Sequence, residues 1–392
     1  MESGWPEVPL AECCEIVSGA TPSRNVRAYW GGSILWATPR DLSGLQDVVL
    51  TDTAEKITEA GYSSCSAMLM PKGSILFSSR APIGLVAIAG AEMCTNQGFK
   101  SLVPGPAVDS RYLYWCMKRM APRIADMGTG ATFKEVSKAA MARVLIPLPP
   151  LGQQKRIAAV LDEADAIRSK RQKATALTEA LLRSIFLKMF GDPGVNPQGW
   201  PVVHLEEIAS KITDGEHLTP RRALQGTLLL SARNVKNGFI DLDAGVDYVP
   251  QEEFERIQKR CNPEKDDIVM SCSGTIGRVA RVPGTYQFGL VRSVALIKPN
   301  HERVRSVYLE HYLRSDWSQA QIQRAANKSA QANIFIGPIK NLRVVQPPIE
   351  HQEIFDEVAA DVAVLSLKLE SAARTSESLF GSLSQRAFRG EL

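Results

Sequence analysis

Two long stretches of the chain carry apolar residues at alternating spacings of three and four, which predicts two long helices. The first stretch follows Ile146–Pro150, and neither proline nor glycine interrupts residues 153–190. The second follows Pro347–Pro348. Proline is excluded from a helix interior but favoured in its first turn, so each proline group is expected to introduce a helix. The first helix would be about 57 Å long at about 1.5 Å per residue.

Both stretches repeat their apolar residues every 3.5 residues on average, which is the period of a coiled coil. We call the line of residues by which one helix packs on another the seam. Ser376 is the one polar member of the predicted seam of the second helix, and Arg171 and Thr178 are those of the first. The apolar members of the second are Phe355, Val358, Val362, Leu365, Leu369, Ala372, Leu379 and Leu383. Those of the first, 198 residues earlier, are Ile157, Val160, Ala164, Ile167, Ala174, Leu181 and Ile185.

The charges of the two stretches favour pairing of one with the other. Residues 151–190 contain eight Lys or Arg and four Asp or Glu, whereas residues 349–392 contain four and eight. Opposite charges select the mixed pair over either self-pair. We predict that the two helices form an antiparallel coiled coil, in which Ile157 would lie near Leu383 and Arg171 near Leu369. The alternative is that each helix packs on its own globular part.

The chain before each helix is duplicated as well. Trp5–Pro6 is matched by Trp200–Pro201, and residues 73–87 are matched by residues 266–280. The chain is therefore a tandem repeat of about 195 residues, each copy a globular part followed by a helix. Short apolar runs beside helical stretches predict a mixed α/β (α+β) fold, with the strand order left open. The predicted domains are residues 1–147, 148–190, 191–345 and 346–392.

Composition and motifs narrow the function further. No run of eighteen apolar residues exists, so no membrane span is expected. The seven cysteines are scattered without a CxxC pair, which indicates a reducing cytoplasm and neither a disulfide framework nor a zinc site. Neither a phosphate-binding loop nor a metal-ligand spacing is found. We therefore expect no catalytic residue, no metal and no cofactor on this chain.

Several motifs recur in order and in duplicate. They are the helix starts Ile146–Gln154 and Val345–Gln352, the turns Ser78–Gly84 and Ser271–Gly277, the segment Thr95–Lys100, and the ending Ala387–Leu392, which resembles Lys188–Asp192. On these motifs, over nearly its whole length, the chain resembles the specificity subunits of type I restriction–modification enzymes. The second copy departs by lacking the Asn96–Gln97 pair, and by reading Ser273-Gly274-Thr275 where the first reads Arg80-Ala81-Pro82.

The resemblance implies that each globular part is a target recognition domain for one half of a bipartite site in double-stranded DNA. It implies that the helices set the spacer, to at most roughly 17 base pairs at about 3.4 Å per pair, and dock two methyltransferase subunits. Restriction–translocase subunits would join them, and S-adenosylmethionine, ATP and Mg²⁺ would belong to the partners of a restriction endonuclease and adenine methyltransferase complex. The alternatives are a coiled-coil scaffold that binds protein only, or a DNA-modifying enzyme with unrecognised motifs.

The candidate contacts lie in the duplicated turns and beside the helix starts. An arginine fork can bind guanine O6 and N7 or hold a phosphate, although each arginine could instead cap its own loop or form a structural ion pair. The candidate DNA contacts are Arg40, Ser78, Ser79, Arg80, Asn96, Gln97, Lys100, Arg233, Ser273, Thr275, Arg278 and Arg292. The candidate partner contacts, on helix faces turned away from the seam, are Gln154, Arg156, Gln352 and Glu353.

Overall fold

A computed structural model describes residues 5–45, 47–130, 134–243, 245–326 and 333–391. The chain divides into two compact units. Unit 1 is Met1–Gln172 with Ala372–Leu392, and unit 2 is Lys173–Ser371. Each unit therefore combines one globular part with stretches of both long helices. The outermost residues of the predicted terminal domains, 1–4 and 392, lie outside the described residues.

Unit 1 has a mixed α/β globular part. Its strands are β1 (Glu7–Pro9), β2 (Cys14–Ser18), β3 (Trp30–Ala37), β4 (Val49–Leu50), β5 (Lys56–Ile57), β6 (Ile75–Phe77), β7 (Val86–Ala89), β8 (Met93–Thr95), β9 (Lys100–Pro104) and β10 (Leu145–Pro147). Its helices are α1 (Leu10–Cys13), α2 (Pro39–Ser43), α3 (Glu59–Ser63), α4 (Ser110–Asp126) and α5 (Lys138–Ala142), followed by the long helix α6 (Leu151–Phe190). The main sheet has the order β2-β9-β6-β7-β4, a second sheet has the order β5-β3-β8, and β1 pairs with β10.

Unit 2 repeats this plan. Its strands are β11 (Val202–His204), β12 (Ala209–Asp214), β13 (Thr227–Leu230), β14 (Asp247–Val249), β15 (Ile268–Ser271), β16 (Val279–Arg281), β17 (Phe288–Leu290), β18 (Val294–Pro299) and β19 (Arg343–Val345). Its helices are α7 (Gln251–Arg260), α8 (Ser306–Arg314), α9 (Asp316–Ala325) and α10 (Ile336–Lys340), followed by the long helix α11 (Ile349–Ala387). The sheet orders β12-β18-β15-β16 and β14-β13-β17, and the pair β11-β19, match those of unit 1, except that the main sheet described for unit 2 has no counterpart of β4. The duplication inferred from the sequence is therefore present in the fold.

A tyrosine at the same place in each unit ties the core to the start of the long helix. Tyr112 on α4 and Tyr308 on α8 are both buried. Each donates its hydroxyl to the carbonyl of the last residue of the strand that precedes the long helix, β10 or β19. The distances are 2.7 Å to Pro147 O and 2.7 Å to Val345 O. A buried tyrosine needs such a partner for its hydroxyl, so this bond fixes the strand end from which the helix departs.

The long helices begin where the prolines predict. Helix α6 starts directly after Pro150, and α11 starts directly after Pro348. The predicted antiparallel direction is confirmed inside unit 1, where Arg168 bonds to Glu377 at 3.1 Å and Arg171 bonds to the carbonyl of Ala372 at 2.9 Å. Inside unit 2, the hydroxyls of Thr178 and Ser366 lie 3.5 Å apart. The register differs from the expectation, because Arg171 lies beside Ala372 and Ser376 rather than Leu369.

The seam of α11 also differs from the predicted one in four of its nine positions, which are Val358, Leu365, Ala372 and Leu379. Phe355 and Ser376 are buried as expected, but the second set of seam positions is displaced by one residue, to Ala359, Ser366, Ala373, Phe380 and Ala387. Leu365 and Leu379 are consequently 44% and 56% exposed, and Ile167 and Leu181 on α6 are 44% and 45% exposed. Small alanines let helices approach closely, and Arg171 and Thr178 bond across the seam. Spacing alone could not reveal this choice, because steps of three and four fit either set. Among the described residues, no helix is both long and apolar enough to cross a membrane.

Candidate nucleic-acid interface

The same serine-closed turn follows the same strand in each unit. In turn 1 (residues 78–85), Ser78 Oγ donates to Pro82 O at 2.7 Å and accepts from Leu85 N at 2.8 Å. In turn 2 (residues 271–278), Ser271 Oγ donates to Thr275 O at 2.6 Å and accepts from Arg278 N at 2.9 Å. Both serines are fully buried. The hydroxyl of Ser78 is therefore occupied in shaping its turn, and the residues at the tips are the ones that each turn presents.

A glycine near the end of each turn allows a helix to pack closely. Gly84 and Gly277 have φ angles of +99° and +86°, as predicted for turn glycines. A Cβ on Gly84 would lie 3.0 Å from the Cβ of Ala121, and one on Gly277 would lie 2.8 Å from Gln319 Oε1. Gln319 also donates to the carbonyl of Gly277 at 2.8 Å. A helix thus packs against the glycine end of each turn, and this contact restricts the orientation of the tip.

Turn 1 presents an arginine that belongs to a cluster of three charges. Glu135 lies 3.0 Å from Lys100 Nζ and 3.9 Å from Arg80 Nη1. The Lys100 side chain is only 9% exposed, whereas that of Arg80 is 38% exposed. The backbones of Arg80 and Glu135 form an antiparallel bridge, and Val136 N donates to Ser79 O at 3.0 Å. Of the two predicted DNA contacts in this cluster, Arg80 is partly exposed to solvent, whereas Lys100 is buried and paired with Glu135.

The other predicted contacts of unit 1 lie beside turn 1. Ser79 is fully buried and bonds through its hydroxyl to Gly98 O at 3.1 Å. Asn96 uses its side-chain oxygen to accept from Gly98 N at 2.9 Å, which shapes the loop. Gln97 is exposed at the tip of that loop and is bonded to the hydroxyl of Thr21. Turn 1 and the loop 95–100 therefore lie side by side, with Gln97 exposed and the side chain of Arg80 38% exposed.

Turn 2 presents a neutral and less bulky tip. Ser273 forms an antiparallel bridge with Asn333, at the place equivalent to the Arg80–Glu135 bridge of unit 1. Thr275 is exposed, and Arg278 is half-buried. Arg292 is exposed on the neighbouring loop and donates its backbone N–H to Glu216 O at 3.0 Å. The two units thus carry different chemistry on the same turn.

Arg40 and Arg233 occupy equivalent positions in short helical turns. At the start of these turns, Thr38 N donates to Asp41 Oδ2 at 2.7 Å, and Ser231 N donates to Asn234 Oδ1 at 3.0 Å. Arg40 is exposed. Arg233 shares Asp247 with Arg222, each at 3.1 Å. The alternative of a structural ion pair therefore describes Arg233 in this structure, although half of its side chain remains exposed.

The glutamines predicted to contact partners are instead buried. Gln154 accepts from Asp109 N at 2.8 Å and donates to the carbonyls of Ala107 and Pro149 at 2.9 and 2.8 Å. Gln352 accepts from Arg305 N at 2.8 Å and donates to Pro347 O at 2.8 Å. Both are 0% exposed, so they join each long helix to its own unit and offer no surface. Of the other two predicted partner contacts, Arg156 is exposed, and Glu353 is exposed and paired with Arg305.

Unit 2 also contains a cavity of about 1350 Å³ away from turn 2. Its wall includes Glu310, which lies 3.7 Å from Arg281 and 3.5 Å from Arg314. Burial raises the pKa of Glu310 and lowers the pKa of the neighbouring His311 to about 3, so this imidazole is neutral at neutral pH. Among the described residues, no group of three His, Cys, Asp or Glu side chains could hold a metal.

Sequence reasoning missed the carboxylates that organise the basic residues. Glu135 is 35 residues from Lys100 and 55 from Arg80, and no local pattern links them. Asp247 on β14 is brought to Arg233 only by the pairing of β13 with β14. Such contacts depend on the three-dimensional arrangement of segments, which the spacing of residues along the chain does not report.

Comparison with known proteins finds relatives along the chain. Residues 2–179 match the family described as the type I restriction modification DNA specificity domain. The specificity subunit of the type I restriction enzyme MjaIX from Methanocaldococcus jannaschii is 29% identical over 367 residues, which cover 88% of this chain and 83% of that protein. The EcoBI specificity subunit of Escherichia coli is 23% identical over 314 residues, covering 72% and 66%.

Solved structures share the fold. One, reported for complex assembly and conformational transition of the type I R-M system, has a TM-score of 0.60 at 19% identity and covers 99% of this chain and 98% of its own. The type I restriction–modification S subunit from M. genitalium has a TM-score of 0.59 at 13% identity, covering 98% and 96%. The mixed α/β fold with long helices is therefore that of these proteins.

Proposed function

Because this chain belongs to the specificity subunits of type I restriction–modification enzymes, we propose that its two globular parts each read one half of a split DNA target. The recognition domains are residues 1–147 and 191–345, and the spacer helices are residues 148–190 and 346–392. The subunit is not itself catalytic. In this proposal, S-adenosylmethionine, ATP and Mg²⁺ are bound by the methyltransferase and restriction–translocase subunits that join it.

The observation that carries the proposal is one turn built twice with two different tips. Ser78 and Ser271 close their turns with the same pair of hydrogen bonds. The tip residues are Arg80-Ala81-Pro82 in unit 1 and Ser273-Gly274-Thr275 in unit 2. A constant frame with variable tips is what two readers of different base sequences require, because discrimination depends on the donors and acceptors aimed at base edges.

The burial of each residue suggests its role. The exposed groups that we assign to base edges are Arg80 and Gln97 in unit 1 and Thr275 in unit 2. Arg40, Arg233, Arg278 and Arg292 are assigned to phosphates, which fix position without reading sequence. Ser78, Ser79, Asn96, Lys100 and Ser273 are assigned to holding the loops that carry these contacts.

The helices offer surfaces for the methyltransferase subunits. Ile167 and Leu379 are exposed in unit 1, and Leu181 and Leu365 are exposed in unit 2. The two pairs are equivalent in the repeat, since Leu379 and Leu365 lie 198 residues after Leu181 and Ile167. Exposed apolar side chains that form a contiguous patch are typical of surfaces that another protein covers. We therefore propose two methyltransferase subunits per chain, one on each pair, with Arg156 and Glu353 as polar contacts.

An exchange of one recognition domain tests the proposal. Residues 200–345 are replaced by the second recognition domain of a relative that has a different target, and methylated positions are mapped in cells that contain the complex. One half of the methylated motif should change while the other half stays the same. The reciprocal exchange of residues 5–145 is the matched control and should change the other half. A change in both halves from either exchange would contradict separate reading.

A further inference from the structure

We infer that Glu135 is a positioning residue that aims Arg80 at the first half-site, an inference that rests on the proposed function. Its carboxylate lies between the ammonium of Lys100, at 3.0 Å, and the guanidinium of Arg80, at 3.9 Å. It therefore connects a buried cation to an exposed one.

Lys100 fixes the carboxylate. Its side chain is 9% exposed, and a buried ammonium must be paired because an uncompensated buried charge is strongly destabilising. Lys100 is itself fixed, because it begins β9 and pairs with Ser18 on β2. The bond from Lys100 Nζ to Glu135 Oε1 consequently leaves the second oxygen, Oε2, directed at Arg80.

The backbone holds the same two residues in register. Arg80 and Glu135 form an antiparallel bridge, and Ser79 O accepts from Val136 N at 3.0 Å. Arg80 is thus restrained through its main chain, and its Nη1 is attracted to the Glu135 carboxylate at 3.9 Å, which is an ion pair and not a hydrogen bond. A guanidinium has five N–H donors, so the remaining donors are available for a base edge. Restraint of this kind lowers the entropy that is lost when a long side chain is fixed on DNA.

Unit 2 lacks this arrangement at the equivalent place, where Ser273 pairs with Asn333. The effect of Glu135 is therefore confined to the first half-site. Loss of its negative charge would, by electrostatics alone, strengthen binding to any DNA. If Glu135 positions Arg80, its loss should instead lower the discrimination between the correct and the substituted first half-site. Measuring affinity for both kinds of duplex therefore separates the two explanations.

The test is the Glu135→Gln variant in the assembled complex with its methyltransferase subunits. Binding is measured by fluorescence anisotropy on a duplex with the wild-type motif, and on duplexes with single substitutions in either half-site. We expect about a tenfold loss of discrimination at one position of the first half-site, the order of one arginine–base contact. The second half-site should be read as before. Arg80→Ala should lose discrimination at the same position.

The double variant Arg80→Ala/Glu135→Gln identifies the pathway. If Glu135 acts through Arg80, the double variant discriminates no worse than Arg80→Ala. A second, equal loss on adding Glu135→Gln to Arg80→Ala would overturn the inference. An effect of Arg80→Ala without any effect of Glu135→Gln would overturn it too, while leaving the proposed function intact. No change of either half-site with Arg80→Ala would contradict the proposed reading role of turn 1 itself.

Two further variants separate positioning from folding and from charge. Glu135→Gln leaves the buried Lys100 ammonium unpaired and should lower thermal stability, whereas Lys100→Met/Glu135→Gln removes both charges and should regain it while discrimination stays low. Recovery of discrimination in this variant would contradict the inference. Glu55→Gln removes the same charge and also breaks an arginine pair, with Arg24, in unit 1. Glu55→Gln should leave discrimination at the first half-site unchanged. A loss of discrimination equal to that of Glu135→Gln would assign the effect to net charge and contradict the inference.

Discussion

Single buried side chains join each long helix to its own unit. Gln154 and Gln352 are the same residue in the two copies, and each holds a loop N–H and a carbonyl at the start of its helix. A buried amide that is removed leaves these backbone groups without partners, which costs roughly 1–3 kcal/mol for each group. Their role is therefore to fix the direction in which the helix leaves the unit, and not to contact a partner.

Replacing Gln154 by leucine should consequently destabilise unit 1. The change leaves Asp109 N and two carbonyls unbonded, so we expect a loss of about 2 kcal/mol or more in the free energy of unfolding. For a unit of this size, that corresponds to a fall of roughly 4–8 °C in the unfolding temperature. Gln153→Leu, at the exposed neighbouring position, is the control and should shift it by less than about 2 °C. Equal shifts in both variants would contradict the assigned role.

Residues found from the sequence are those whose partners are near in the chain. Ser78 and Gly84 were recognised because the turn that they close is a local and repeated pattern, and the structure gives them matching geometry in unit 2. Burial of Lys100 and of Gln154 was not predictable in this way. A lysine beside a strand and a glutamine in a first helical turn are usually exposed, and only the packing of distant segments encloses them.

At the scale of elements, the 3.5-residue spacing of apolar residues predicted where the long helices lie but not which of their faces is buried. The proline groups and the 3.5-residue spacing located α6 and α11 correctly, and the separately predicted antiparallel direction is found inside each unit. The spacing could not decide which neighbouring line of residues is buried. Alanines and hydrogen-bonding side chains occupy the seam, and Leu365 and Leu379 remain outside. The sequence's most regular apolar line is thus partly exposed.

This exposed line predicts how the methyltransferase subunits bind. Leu379→Ser should remove the subunit bound at unit 1, and Leu365→Ser the one bound at unit 2, because each loses an apolar contact of about 2 kcal/mol. Native mass spectrometry of the purified complex would then show one methyltransferase per chain in either variant. Leu367→Ser changes an exposed leucine on another face of α11 and should retain two. Loss of binding in Leu367→Ser alone would place the contact elsewhere.

At the scale of the whole molecule, the duplication divides the work between units and helices. Apart from β4, the strand order recurs in both units, so their frames are equivalent, and we propose that the differing tips of turns 1 and 2 read different bases. Helices α6 and α11 each run from residues of one unit into residues of the other. A continuous helix transmits length, so we propose that the helices specify the unread spacer between the half-sites.

The central claim is tested most directly by lengthening both helices and mapping the methylated motif. Four residues are inserted after Thr175 in α6 and four after Leu369 in α11, about one helical turn or roughly 6 Å each. We predict the same two half-sites with one or two base pairs added to the spacer. Four residues inserted into the loop after Val195 should leave the motif unchanged. An unchanged spacer with full methylation by the helix variant, or an altered half-site, would contradict the account.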